Sequence, residues 1–281
     1  MTMKHTEKNI LPVMMAPRVR TADKFRLKAW HGLALASIVV VASIPAFAAA
    51  DPARASMFEV LLRWAPLLLK GFIFNVIISM SAMAMGTIAG AALGLGQISL
   101  NGWVRRFSWI ITQFFRNAPW LVLLFFAMFL LPFEIKIGGL TIPLPDWLKA
   151  MFGLSLPVMA NVSEIVRGGI VSLPSGQWEA AESLAFSRTQ VLWRIILPQC
   201  IKRMLPPWMN LYSILTMATV LASIVGVSEV MTLTGQALAA EGGRTDLLIP
   251  FYSFVLLLFF MYCYPIARWT VRLEKKFAVI N

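Results

Sequence analysis

An all-α, polytopic transmembrane helix bundle is the fold class this sequence predicts. Three observations predict it. The chain is 59% hydrophobic and only 14% charged, too apolar for a soluble domain with a charged exterior. Its apolar residues gather into about six runs, each near the roughly 20 residues that cross a hydrocarbon core. Its net charge of +12 collects beside alternate runs.

The runs are 29–49, 71–96, 107–131, 148–166, 207–227 and 247–267. Arg18, Arg20, Lys24, Arg26 and Lys28 precede the first. Arg105 and Arg106 follow the second. Arg167, Arg188, Arg194, Lys202 and Arg203 lie between the fourth and fifth, and Arg268, Arg272, Lys275 and Lys276 follow the sixth. The alternate connections carry acids instead: Asp51 and Glu59, Glu134 and Asp146, then Glu229, Glu241 and Asp246. The positive-inside rule therefore places both termini in the cytoplasm. The same placement argues against nucleic acid as the basic residues' partner; lipid is the partner they predict.

The first run has two readings. A basic flank, an apolar stretch and Ala46-Phe47-Ala48 resemble a cleavable signal peptide, whereas the length of run and leader favours a retained anchor. Residues 1–28 read as a basic cytoplasmic segment, and 29–65 as an extra anchor with a periplasmic linker. In the second run Gly86, Gly90 and Gly94 recur every fourth residue, a face without side chains for a neighbouring helix. It serves packing within one subunit or a moving contact. Gly138-Gly139, Pro143 and Pro145 predict a turn-rich outer loop with a short hairpin.

Cys200 and Cys263 have no metal-ligand spacing, and the side assigned to Cys200 argues against a disulfide; His5 and His31 are also far apart, both near the N-terminus. No phosphate-cradling Gly-x-x-x-x-Gly-Lys-Ser/Thr motif is present. No catalytic constellation falls in one loop, so no enzyme is expected.

The connection of about 40 residues between the fourth and fifth runs is long for a helix bundle. It reads as two short helices. Ser175 is a candidate cap for the first, and Trp178, Ala181, Leu184 and Ala185 share its apolar face. Ser187-x-x-Gln190 is a candidate capping box for the second, and Pro206-Pro207 then restarts a helix as the fifth span.

Here the chain resembles a known family. Glu179-Ala180-Ala181, then Ala185, then Ile195-Ile196-Leu197-Pro198 match the spaced signature loop of ABC-importer permease subunits. The family has glycine where Ala185 stands; in a left-handed turn alanine is about 1 kcal/mol worse. Leu69-Lys70-Gly71, Phe114-Phe115-Arg116-Asn117-Ala118-Pro119 and Ser163-Glu164-Ile165-Val166-Arg167-Gly168-Gly169 extend the likeness. So does Leu221-Ala222-Ser223-Ile224-Val225-Gly226-Val227-Ser228-Glu229. They point to the polar-amino-acid (histidine, glutamine and arginine type) group. The similarity spans about residues 66–276, leaving 277–281 as a tail.

The resemblance implies a type I importer permease fold and a subunit that lines the translocation path for amino acids or their derivatives. It implies a cytoplasmic coupling loop of Gly176, Trp178, Glu179, Ala180, Ala181, Leu184, Ala185, Arg188, Ile195, Leu197 and Pro198. Two ATPase subunits dock there; ATP and magnesium are theirs, and this chain binds no cofactor. A second permease subunit, identical or different, and a periplasmic substrate-binding protein complete the implied assembly.

Polar residues inside spans usually face a cavity or another helix, which makes Asn117, Asn161, Glu164, Asn210 and Thr219 candidates for the path. Glu164 and Arg167 are spaced to pair. Arg116 either meets a substrate carboxylate or anchors its helix to headgroups. Related permeases carry glutamine where Leu123 stands and lysine-aspartate where Met217-Ala218 stands, so Met217 joins the candidates as a departure. Either a more polar partner subunit supplies the missing contacts, or the substrate is unusual, such as an opine. The alternative, an ion-gradient-driven secondary transporter of small polar solutes, normally needs more spans or an inverted repeat, and no such repeat is seen.

Overall fold

The computed structural model describes residues 56–277, apart from 138 and 139. The run 29–49, the basic leader and both histidines lie outside the described residues. So does the tail beyond 277.

Nine α-helices and one hairpin make up the described residues. Helix α1 (Met57–Gln97) starts at Ser56, whose hydroxyl accepts from the Glu59 N–H. It runs 41 residues, about 60 Å, so the stretch read as linker from 57 to 65 is helical. Helices α2 (Gly102–Asn117) and α3 (Trp120–Leu130) follow, then strands β1 (Glu134–Ile137) and β2 (Leu140–Pro143). Helix α4 (Asp146–Val171) leads to the short α5 (Ser175–Ser183) and α6 (Arg188–Gln190). A π-helical stretch, Val191–Ile196, runs straight into α7 (Leu197–Ala218). A 3₁₀ turn (Thr219–Ser223), α8 (Val230–Ala240) and α9 (Leu248–Phe277) complete the order.

Among the described residues, three helices are long and apolar enough to cross a membrane: Met57–Gln97, Asp146–Val171 and Thr245–Phe277. They contain three of the expected runs. The run 107–131 is not one straight span, because α2 and α3 meet at 107°. Pro119 explains the break. It has no N–H to continue the ladder, and its ring drives Ala118 out of helical geometry to ψ 138°. Nor do Pro206 and Pro207 restart a helix: both lie inside α7, which begins at Leu197. That helix ends at Ala218 and tightens to 3₁₀, short of the expected Val227.

The glycine stripe packs on α4 of the same chain. A Cβ on Gly86 would lie 2.5 Å from Val158 Cγ1, and one on Gly90 2.5 Å from the Met159 carbonyl oxygen. One on Gly94 would meet Val166 Cβ at 2.7 Å. The two backbones approach as closely as they do because nothing stands between them. One core forms there, around Ile78, Leu124, Leu154, Val158, Val162 and Leu215. A second joins α1 to α8 and α9 through Met57, Leu68, Val230, Leu247 and Phe251. The expected hairpin is present, antiparallel, with Ile135 opposite Ile142.

Two buried polar knots fix the helices. Asn75 Nδ2 on α1 donates to Thr219 Oγ1 at 2.9 Å and to Glu229 Oε2 at 2.8 Å, while its Oδ1 accepts from Val230 N. Glu229 also caps α8 by accepting from Met231 N and Thr232 N. Deeper along α1, Gln97 Nε2 donates to Ser163 Oγ on α4 and Thr112 Oγ1 on α2. Buried polar groups in an apolar setting must be satisfied, so each knot sets helix register as well as contact.

Candidate functional site

The segment between α4 and α7 folds as a closed elbow. The N-cap position of helix α5 is Pro174, which supplies no side-chain cap bond, and Ser175, the expected cap, falls inside the helix. Its end is a Schellman motif: Phe186 N donates to Ala181 O and Ala185 N to Glu182 O. Such a motif requires a left-handed residue at the second of these donors, and Ala185 adopts φ 60°. Alanine therefore sits in the conformation that glycine enters freely. Ala185→Gly is expected to stabilise the α5 terminus by about 1 kcal/mol, read as slower amide exchange across 175–186. Faster exchange would contradict the strained-alanine account.

The second half opens with a complete capping box. Gln190 N donates to Ser187 Oγ, and Ser187 N donates to Gln190 Oε1. The π-helical stretch then turns Val191 and Ile196 fully into the core. Ile195 and Leu197 are half-buried, and Pro198 is exposed.

The elbow presents a different surface from the one its apolar spacing suggests. Trp178 faces inward, packed on the core with the Arg188 guanidinium 5.4 Å from its ring centroid. Ala181 is buried. Gly176, Glu179, Ala180 and Leu184 are exposed, Leu184 at 73%. Among the described residues no hydrogen bond or ion pair engages the Glu179 carboxylate. Trp178 is thus the internal support of the elbow, and Leu184 with Glu179 its outward face.

Next to the elbow, α4 and α7 enclose an open cavity of about 680 Å³. Asn161, Glu164 and Asn210 line it together with Arg116 and Arg203. Arg167 donates Nε and Nη2 to Glu164 Oε2, the shorter bond 2.7 Å, which realises the expected pair. Arg116 Nη1 lies 3.8 Å from the same oxygen. Arg203, read in the sequence only as an orienting charge, lines the cavity and donates to Ser172 O at 3.0 Å. Its role depends on a contact across 31 positions that no local pattern displays.

Three other path candidates lie elsewhere. Asn117 is exposed at the α2–α3 break and donates to Gln113 O. Thr219 is buried in the Asn75–Glu229 knot. Met217 is 51% exposed, two helical turns beyond Asn210 on the same face of α7. Among the described residues no cluster of His, Cys, Asp or Glu can hold a metal, and both cysteines are free.

Residues 82–278 match the family model of binding-protein-dependent transport system inner membrane components. The chain belongs to that family. It is a multi-pass membrane transport component, not an enzyme. This transport subunit is 34% identical over 214 residues to the probable amino-acid ABC transporter permease protein YckA of Bacillus subtilis, covering 76% of this chain and 90% of the relative. It is 32% identical over 191 residues to the probable amino-acid ABC transporter permease protein y4tF of Sinorhizobium fredii, covering 68% and 79%. Its fold is similar to the crystal structure of an amino acid ABC transporter with histidines, with a TM-score of 0.67 at 19% identity. That superposition covers 79% of this chain and 99% of the other. The importer permease fold read from the sequence is therefore the observed one.

Proposed function

We propose that this permease lines the translocation path of an ATP-binding-cassette importer for amino acids or their derivatives. Its elbow at 175–198 takes up mechanical work from separate ATPase subunits. The carrying observation is the elbow itself: closed by the Schellman bonds ending α5 and the capping box opening α6, internally supported by Trp178, and presenting Leu184 and Glu179 outward. An exposed leucine on an otherwise polar helix suits burial in a partner groove. ATP and magnesium belong to that partner. Two ATPase copies, a second permease and a periplasmic binding protein complete the proposed assembly, with both termini of this chain cytoplasmic.

Contacts support the proposed sidedness. Trp64 donates to Glu241 at 2.8 Å, joining two segments the charge rule puts outside. Arg203 joins Ser172, both assigned inside.

For the path, Asn210 and Ile214 on α7 share the cavity with Asn161 and Glu164 on α4, and Met217 continues the Asn210 face beyond it. Co-expression of the permease with its ATPase, followed by purification through the permease alone, tests the assignment. A stable complex whose ATP hydrolysis drives uptake is expected. Uptake driven by an ion gradient without the ATPase would refute it. Met217→Lys is expected to change the uptake ratio of anionic to cationic amino acids about fivefold, as a charge near the path would. Identical kinetics would remove Met217 from the path.

A further inference from the structure

We propose that the cleft where α2 meets the elbow-side ends of α1 and α4 binds the headgroup of an anionic phospholipid, its phosphate held by Arg105, Arg106 and Arg167. The cleft encloses about 710 Å³ and is lined by Gln97, Trp103, Arg105, Arg106, Trp109 and Arg167. Three guanidinium groups from two helices therefore face one space. Arg167 is matched by Glu164. Arg105 reaches only the Ser99 carbonyl, at 3.4 Å. Among the described residues no carboxylate lies within ion-pair distance of Arg105 or Arg106. Gathered like charges favour an anion that joins them, and guanidinium forks suit phosphate.

The helix that carries two of these arginines identifies the source of the phosphate. Helix α2 buries only Ser108 and Thr112. Trp103, Phe107, Ile110 and Phe114 recur along it at helical spacing and are 83%, 66%, 52% and 65% exposed. Its axis stands 107° from that of α3, so the two cannot both follow the membrane normal. An amphipathic helix whose exposed aromatic stripe borders a cleft holding its arginines lies in the bilayer interface, its apolar side toward acyl chains. Tryptophan favours headgroup depth. A soluble phosphate would use the arginines and leave this apolar rim without a role. A phospholipid uses both, and basic pockets at the cytoplasmic ends of spans are where anionic headgroups dock.

Native mass spectrometry of the purified full-length permease tests the site. The probes are dioleoyl-phosphatidylglycerol, dioleoyl-phosphatidylcholine and inorganic phosphate. The wild type is expected to retain the glycerol lipid over the choline lipid. The Arg105→Gln/Arg106→Gln variant is expected to lose that preference by about 25-fold, about fivefold per arginine. Arg106→Lys, which keeps the charge, and Lys136→Gln on the hairpin are expected to retain it. Equal retention of both lipids by the wild type overturns the proposal, whatever the variants do. So does an unchanged preference in a folded double variant. Displacement of bound lipid by millimolar inorganic phosphate would assign the cleft to a soluble anion and equally overturn it.

Discussion

Glu179→Lys in the elbow is expected to strip the ATPase from the purified permease, lowering co-purification at least tenfold and abolishing ATP-driven uptake. The reason lies in what the residue does not do within the chain. Its carboxylate has no hydrogen-bond or ion-pair partner among the described residues, so reversing its charge removes nothing from the fold. Helix α5 is held elsewhere, by the Schellman bonds and by Trp178 and Ala181 against the core. A charge reversal at the edge of a docked apolar anchor is repulsive in the complex and neutral in the free subunit. Leu184→Asp should act in the same direction, because it places a carboxylate where burial is expected. The check is paired: retention of the ATPase on the permease, and thermal unfolding of the permease alone. Retention at the wild-type level would show that the elbow is not the contact.

The second large effect is on folding. Gly90→Leu is expected to destabilise the permease by roughly 3 kcal/mol or more, seen as loss of folded protein on detergent extraction and heating. The atom in the way is backbone: a Cβ would lie 2.5 Å from the Met159 carbonyl oxygen and 2.7 Å from Val162 Cβ. A flexible side chain could swing aside, but a helix backbone held on both flanks by Gly86 and Gly94 cannot shift without breaking those contacts too. Gly235→Ala, which meets nothing within 4 Å, is the matched control and should be neutral or slightly stabilising. Equal behaviour of the two variants would mean that α1 and α4 are not clamped at this stripe.

What the sequence disclosed was what local rules govern. The glycine period, the Ser187–Gln190 box and the Glu164–Arg167 pair each arise from residues within one or two helical turns, and all three are observed. Even the alanine that departs from the family pattern shows the left-handed geometry that explains the family's glycine. Hydropathy located the long helices but not their ends, since α1 continues through residues that read as linker. It also merged α2 with α3: the stretch is apolar throughout, and only the backbone effect of Pro119 divides it. Pro206-Pro207 gave the reverse error, because a proline pair marks a helix start unless tertiary packing holds the helix through it.

Long-range partners were the least legible. Glu229 reads as a loop acid, yet it is fully buried, tied to Asn75 across 154 positions. Reading Trp178 and Leu184 as one face fails on the helix itself: six positions at 3.6 residues per turn leave them well apart around the axis, Trp178 packed on the core and Leu184 73% exposed. Consequently the elbow was correctly placed in the chain, while its outward surface emerged only from the fold.

The central claim is that this elbow stands in the cytoplasm and is covered by the ATPase. Leu184→Cys, in a background with Cys200 and Cys263 replaced by alanine, reports on both halves at once through a membrane-impermeant maleimide. The account predicts labelling in inverted vesicles, none in right-side-out vesicles, and protection when the ATPase subunit is bound. Labelling from the periplasmic side, or labelling that the bound ATPase leaves unchanged, would contradict it.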